Sequence, residues 1–452
     1  MTRVVPSRPR RPSPILAALA ALAAVVALIT GCSDRGDGST GPDPEPTIPG
    51  PFAAAATCGA CHPQHFAEWT RSMHAFAGSD PVMIAQSLMA SREGGDAIGS
   101  ECRNCHAPSV VRQERWVNSL PPGSNPVLAD LSHDGISCDF CHSIQVVPPV
   151  GRIDWFDTID PADPKLGSIV DPVANDFHES RHDDSFRTSA QCASCHQIHL
   201  ADGTGIENTH REWETSILSG MGIECQECHM PAYDGPAATT GPVRRVHRHE
   251  FVGVDYLTVD FRDADRARQL ESVRSLLANS VTVTSTVPAS VAGADTMAIE
   301  VRVLNNLTGH SIPSGTSFSR DMWVQVTVRD AGDAEIYRSG WLEADGELVS
   351  PATDPDLVRF GSTLFDADGH PTPFSWRAVS IDESELLPFG ATRVATYEIP
   401  VPPAATGPLT VDLALRFRPM KPSILRASGL EDLLPVEIFE MWSTQETVAI
   451  EL

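Results

Sequence analysis

Cys58-Gly-Ala-Cys61-His62, Cys102-Arg-Asn-Cys105-His106, Cys138-Asp-Phe-Cys141-His142, Cys192-Ala-Ser-Cys195-His196 and Cys225-Gln-Glu-Cys228-His229 are five copies of one pattern, Cys-x-x-Cys-His. Two thiols three apart, with an imidazole directly after the second, fall on one side of a single tight turn. That arrangement reads as a c-type haem attachment site, in which the sulfurs bind the two vinyl groups and the imidazole takes the iron. A zinc half-site, a redox dithiol or a disulfide needs only the two cysteines. The chain has 16 histidines among 452 residues, yet all five pairs carry one at the same place. The reading is therefore five covalently attached haem c groups, held by Cys58, Cys61, Cys102, Cys105, Cys138, Cys141, Cys192, Cys195, Cys225 and Cys228. His62, His106, His142, His196 and His229 are the proximal iron ligands.

The motifs account for ten of the 11 cysteines, and the eleventh, Cys32, belongs to a different signal. Arg3, Arg8, Arg10 and Arg11 precede an apolar run from Ile15 to Thr30, which ends in Ile-Thr-Gly31-Cys32. A basic start, a short apolar stretch and a small residue before the cut make an export signal. The run falls short of the ~20 residues that span a bilayer. Ile-Thr-Gly-Cys resembles the bacterial lipoprotein box, which implies cleavage before Cys32 and lipid on its sulfur. The expected location is the periplasm or cell surface, anchored to a membrane. Ser33 after the lipidated residue leans toward the outer membrane.

The formal charge is −26, and the export segment removes four arginines without an acid. Such a surface argues against nucleic acid and for redox partner proteins that are basic or neutral. A homo-oligomer is compatible with the composition. Residues 32–51 are Gly, Pro, Asp and Ser with almost no apolar content, and read as a disordered tether after the 1–31 signal peptide. Residues 52–262 hold every motif and few long periodic apolar stretches, so they read as short helices and loops wrapped around cofactors. Glu68-Trp69-x-x-Ser72 recurs as Glu212-Trp213-x-x-Ser216, and a Gly stands three residues before Cys102, Cys138 and Cys225. Residues 263–279 read as a linking helix, with Leu270, Val273, Leu276 and Leu277 on one face. Runs at 281–287, 297–303, 322–328, 396–401 and 409–415 alternate with period two and predict strands. The expected fold class is α + β in two domains: a helix-and-loop multihaem domain followed by an immunoglobulin-like β-sandwich over 280–452.

The sixth position of each iron separates a wire from an enzyme. Eleven histidines lie outside the motifs, enough to give every iron a second imidazole. The candidates, in falling order, are His74, His249, His178, His310, His182 and His133. His74 follows the first motif in Trp69-Thr-Arg-Ser-Met-His74, and the second copy carries Leu218 at that place. His247 competes with His249. His178 and His182 are placed on one helical face, and His310 lies inside the β region. No catalytic residue is assigned.

Cys58-x-x-Cys-His with Trp69-x-x-Ser-x-His74, Gly135-Ile-Ser-Cys-Asp-Phe-Cys-His142, Gln191-Cys-Ala-Ser-Cys-His196, Gly222-Ile-Glu-Cys-Gln-Glu-Cys-His-Met-Pro231 and His249-Glu-Phe-x-Gly253 resemble the multihaem cytochromes c of the cytochrome c-554 type. These are relatives of octahaem hydroxylamine-oxidising and pentahaem nitrite-reducing cytochromes. The resemblance covers about residues 55–255, and the stretch Gly309–Gly315 looks like the β appendage of some members. It implies closely stacked haem pairs, bis-His iron and electron transfer outside the cytoplasm. The chain departs from the nitrite reductases, because every motif ends in His and none in Lys. None of its four tyrosines stands out as the cross-linking residue of the hydroxylamine oxidisers. The expected function is an exported, membrane-tethered pentahaem cytochrome that relays electrons. The alternative is an oxidoreductase acting on a small nitrogen or sulfur compound at one five-coordinate haem.

Overall fold

A computed structural model describes residues 52–119, 134–147, 150, 159, 161, 164–199, 203–259 and 263–451, and these form one compact unit. The expected export signal, the tether, Cys32 and His133 lie outside the described residues. Among the described residues, no helix is long and apolar enough to cross a membrane.

The first half is built from short helices. Ala55–Gly59, Pro63–Trp69, Met73–Phe76, Cys138–Cys141, Ala190–Ala193, Thr209–Glu214, Ile217–Gly220 and Cys225–His229 are each two turns or fewer. Among the described residues of this half, only Pro81–Gly94, Asp96–His106 and Pro108–Ser119 run longer. Local chemistry sets their starts. Ser72, Asp80 and Ser137 accept the backbone N–H of Ala75, Val82 and Phe140 as N-caps, which satisfies donors that a helix leaves unpaired. The apolar clusters here are small. One holds Phe52, Phe140, Ile144 and Ile159, and the other Ala55, Trp69 and Ala75. Other buried apolar residues of this half, such as Phe76, Val82, Met83, Val111 and Leu166, lie outside these clusters, so among the described residues no large side-chain core forms here and bound cofactor would add much of the apolar contact.

The helix Asp263–Ala278 then leads into the β region, and its Val273 and Leu277 are buried. Strands Thr392–Pro400, Thr296–Leu304 and Thr282–Thr286 form one antiparallel sheet in that order. A second sheet runs Glu335–Ser339, Asp321–Arg329, Leu409–Arg418, Phe439–Glu451 and Ser290–Ala292, and only its last pair is parallel. Alternation drives this arrangement. Met297, Ile299, Val301 and Val303 from the first sheet share one core with Val324, Val326, Leu413 and Leu415 from the second, each strand turning its odd or even side chains inward. The helical region followed by a β-rich region matches the expected fold class. The five alternating runs all fall on observed strands, while Glu335–Ser339 and Phe439–Glu451 complete the sheet beyond the expected set.

Candidate haem-ligating site

Each motif folds as one helical turn. The backbone N–H of His62, His142 and His196 bonds the carbonyl of Cys58, Cys138 and Cys192 at 2.9, 3.0 and 3.0 Å. Cys102–His106 and Cys225–His229 lie within helices. Residues i, i+3 and i+4 share a helical face, so both sulfurs and the imidazole point the same way. The ten motif cysteines form no disulfide. Thiols of different motifs meet instead: Cys58 with Cys138, Cys105 with Cys195, and Cys192 with Cys225. The first motif thus touches the third, the second touches the fourth, and the fourth touches the fifth.

Every motif imidazole gives its ring N–H to the protein. His62 Nδ1 donates to Ala237 O (2.7 Å), His142 Nδ1 to Leu166 O (2.5 Å) and His229 Nδ1 to Val252 O (2.6 Å). His196 Nδ1 pairs with Glu207 Oε1 at 2.9 Å, and His106 bonds the Ala77 backbone. Tying Nδ1 fixes the tautomer and leaves Nε2 for a metal.

Four motif imidazoles face a second imidazole. His62 faces His178 with ring centres 6.3 Å apart and planes 26° apart; His142 faces His249 at 6.5 Å and 28°. His196 faces His74 at 6.3 Å and 36°, and His229 faces His310 at 6.4 Å and 20°. A histidine nitrogen binds a metal at about 2 Å and lies roughly 1.1 Å from its ring centre, so two imidazoles on one ion have centres about 6 Å apart. All four pairs have that spacing. On the facing side, His178, His249 and His310 also donate Nδ1 to a carbonyl, of Glu179, His247 and Ser311 respectively. The donor set therefore fits iron with two axial imidazoles.

Burial favours the neutral, metal-ready form of six of these rings. It pulls His74 and His249 down to about 3, and also lowers His106, His142, His229 and His310. His196 is the exception. Burial works against its charge, but the Glu207 carboxylate overrides it and raises the ring to about 9.

Four of the expected distal residues, His74, His249, His178 and His310, thus sit opposite a motif imidazole. His182 does not. Its Nε2 bonds Asp184 Oδ1 at 2.9 Å, and it lies in the strand Ser180–His182 rather than on a helix with His178. Extended backbone spaces residues four apart by roughly 13 Å, against about 6 Å along a helix, so the two rings do not share one site. His247, the competitor of His249, gives Nδ1 to Met230 O. His106 faces no second imidazole among the described residues. His65, which the sequence did not single out, lies 4.6 Å from His249 and 3.4 Å from Glu68.

Residues 57–143 match the family described as cytochrome c554 and c-prime. The solved structure of a penta-heme cytochrome c552 from Thermochromatium tepidum matches with a TM-score of 0.62, covering 88% of this chain and 99% of that chain at 21% identity. The chain is thus similar to the multihaem c-type cytochromes of the c-554 type, in sequence over residues 57–143 and in fold over most of its length. The identity to the solved cytochrome is low, so that likeness speaks for the fold. A beta-glucosidase from Listeria innocua overlaps 35% of this chain and 15% of its own at 10% identity and a TM-score of 0.14, which carries no argument. A search of curated proteins finds no match. In a c-type cytochrome the motif cysteines hold haem c covalently, and the turn geometry above accommodates that attachment.

Proposed function

We propose that the chain is an exported, membrane-tethered pentahaem cytochrome c that passes electrons between redox partners, basic or neutral in charge. Residues 52–262 form its haem domain, 263–279 a linker and 280–452 a β-sandwich domain. The observation that carries this reading is the set of four facing imidazole pairs. Bound haem supplies a reversible one-electron change at iron. Two imidazoles held against one bound iron would leave it no position open to substrate, which favours a carrier over a substrate-binding centre. The chain's part is to hold the rings: His178, His249, His74 and His310 opposite His62, His142, His196 and His229.

We assign His133 as the second ligand on the His106 iron. A Cβ placed on Gly78 would lie 3.3 Å from both Ala107 Cβ and Gly135 Cα. Ala107, directly after His106, and Gly135 therefore converge there, while His133 itself lies outside the described residues. The competing reading, an oxidoreductase for a small nitrogen or sulfur compound, needs one open iron, and His106 is where it would be.

Carbon monoxide separates the two, because ferrous haem binds it readily at an open position, whereas at a closed one an imidazole must first leave. The carrier reading expects no carbon monoxide shift in the reduced protein. A shift in one fifth of the haem would support the oxidoreductase. The tether is tested by Cys32→Ser, which should release the protein from membranes; retention would refute lipid anchoring.

A further inference from the structure

Glu68-Trp69-x-x-Ser72 and Glu212-Trp213-x-x-Ser216 recur in the sequence without a role in the haem motifs themselves. In the structure both copies make the same two contacts. Trp69 Nε1 donates to Ile136 O at 2.9 Å, and Trp213 Nε1 donates to Ile223 O at 2.8 Å. Ile136 and Ile223 each stand two residues before a motif, at Cys138 and Cys225. The preceding glutamates reach a different part of the chain. Glu68 Oε2 accepts the backbone N–H of His249 at 3.0 Å, and Glu212 Oε2 accepts that of Ser311 at 3.1 Å.

Both contacts of one copy converge on the same imidazole pair. Trp69 holds the segment entering the motif of His142, and Glu68 holds His249, the ring that faces His142. Trp213 holds the segment entering the motif of His229, and Glu212 holds the residue after His310, the ring that faces His229. The distal segments come from 181 and 99 residues away in sequence, so neither is placed by its local chain. Each carboxylate is reinforced where it sits. Glu68 is fully buried and also accepts from Gln64 and from Arg248 at 2.7 Å. Glu212 accepts the Ser314 hydroxyl at 2.6 Å. A buried carboxylate that accepts several hydrogen bonds is rigid, and removing it strands the donors it served.

We propose that each Glu-Trp pair is a clamp that fixes both axial imidazoles of one iron, the His142–His249 iron in the first copy and the His229–His310 iron in the second. The proposal rests on the ligand assignment above. Glu68 and Glu212 are positioning residues, each acting through a distal histidine that another part of the chain supplies. The second copy has Leu218 where the first has His74. Leu218 packs beside Gly309, where an added Cβ would lie 2.9 Å from its Cδ1, so the β-region loop enters next to the position that lacks a ligand of its own.

The test is low-temperature electron paramagnetic resonance of the haem-loaded, full-length protein, with His249→Ala and His310→Ala as markers. Each marker should convert one fifth of the haem to high spin and so identify one low-spin signal. Glu68→Ala should shift only the signal identified by His249→Ala. Glu212→Ala should shift only the one identified by His310→Ala. Glu→Gln, which keeps an acceptor oxygen, should restore each signal. If an alanine variant yields no haem-loaded protein, Glu68→Asp and Glu212→Asp, one methylene short, are read in the same way. Markers that work while the glutamate variants move neither signal, both, or the wrong one would overturn the clamp. Markers that produce no high-spin iron would overturn the ligand assignment, and the clamp with it.

Discussion

Replacing Gly135 by Ala should damage one iron site through the backbone. Gly135 has φ 43°, a region where a residue with a Cβ pays roughly 1–2 kcal/mol. The new Cβ would lie 2.2 Å from His74 O, 2.9 Å from Ala75 O and 3.1 Å from Ala75 C. These are backbone atoms and cannot rotate away. Relief requires the turn to separate from the helix Met73–Phe76, which breaks the 2.9 Å bond from Ile136 N–H to His74 O, worth about 1 kcal/mol net. The sum is about 2–3 kcal/mol. An unfolding entropy of ~2.1 cal/mol/K per residue makes that a fall of roughly 2–4 °C in Tm for a unit of about 400 residues. The displaced helix carries His74, so its iron partner on His196 should lose low-spin character as well. Thermal unfolding and resonance spectra of the same sample check both effects. A Gly135→Ala protein with unchanged Tm and a fully low-spin spectrum would refute the reasoning.

Three further outcomes follow from particular groups. Glu207 raises the basicity of His196, and a more basic ligand stabilises ferric iron; Glu207→Gln should raise the midpoint potential of one haem, as followed by spectroelectrochemistry, and a fall or no change would contradict it. Burial pushes Asp80 up to about 6 from 3.8, so the protonated form favours folding: its contribution is fully present below about pH 4 and is lost as pH rises through 6. That displacement is worth roughly 3 kcal/mol, so Asp80→Asn, which keeps the acceptor for Val82 N–H, should flatten the decline in Tm between pH 4.5 and 7, and parallel curves for the two proteins would sink the idea. Changing all ten motif cysteines to Ser should remove the helical far-ultraviolet circular dichroism of the first half while the β signal and a cooperative transition persist, because among the described residues only the β region owns a large apolar core; persistence of the helical signal would show that the first half folds without haem.

The five motifs were legible because attachment chemistry is local. Five residues carry it, and the helical turn follows from the spacing. The β region was legible for a similar reason, since period-two alternation over 296–304 and 409–418 maps directly onto burial. Partnering of imidazoles was not. His74 follows the first motif in sequence but faces His196 of the fourth, and no local pattern encodes that distance. His178 and His182 have helical spacing, yet the chain there is extended and only one of them faces a motif ring. The glycine echo also divides. Gly135 and Gly222 adopt left-handed turns, whereas Gly99 is helical, and a Cβ there would strike Ser91 Oγ at 1.9 Å. One sequence signature thus serves backbone conformation in two places and helix packing in the third. The Glu-Trp repeat was visible as a pattern, but its partners at His249 and Ser311 come from remote segments that only the folded chain brings near.

The central claim is that every iron in this chain is closed by two imidazoles, and spin state tests it most directly. Haem would be counted by pyridine haemochrome on the purified oxidised protein, and low-spin and high-spin iron integrated by low-temperature electron paramagnetic resonance. The account predicts five haems per chain, all low-spin. A high-spin component of one haem in five would contradict it and point to the His106 iron as an open site.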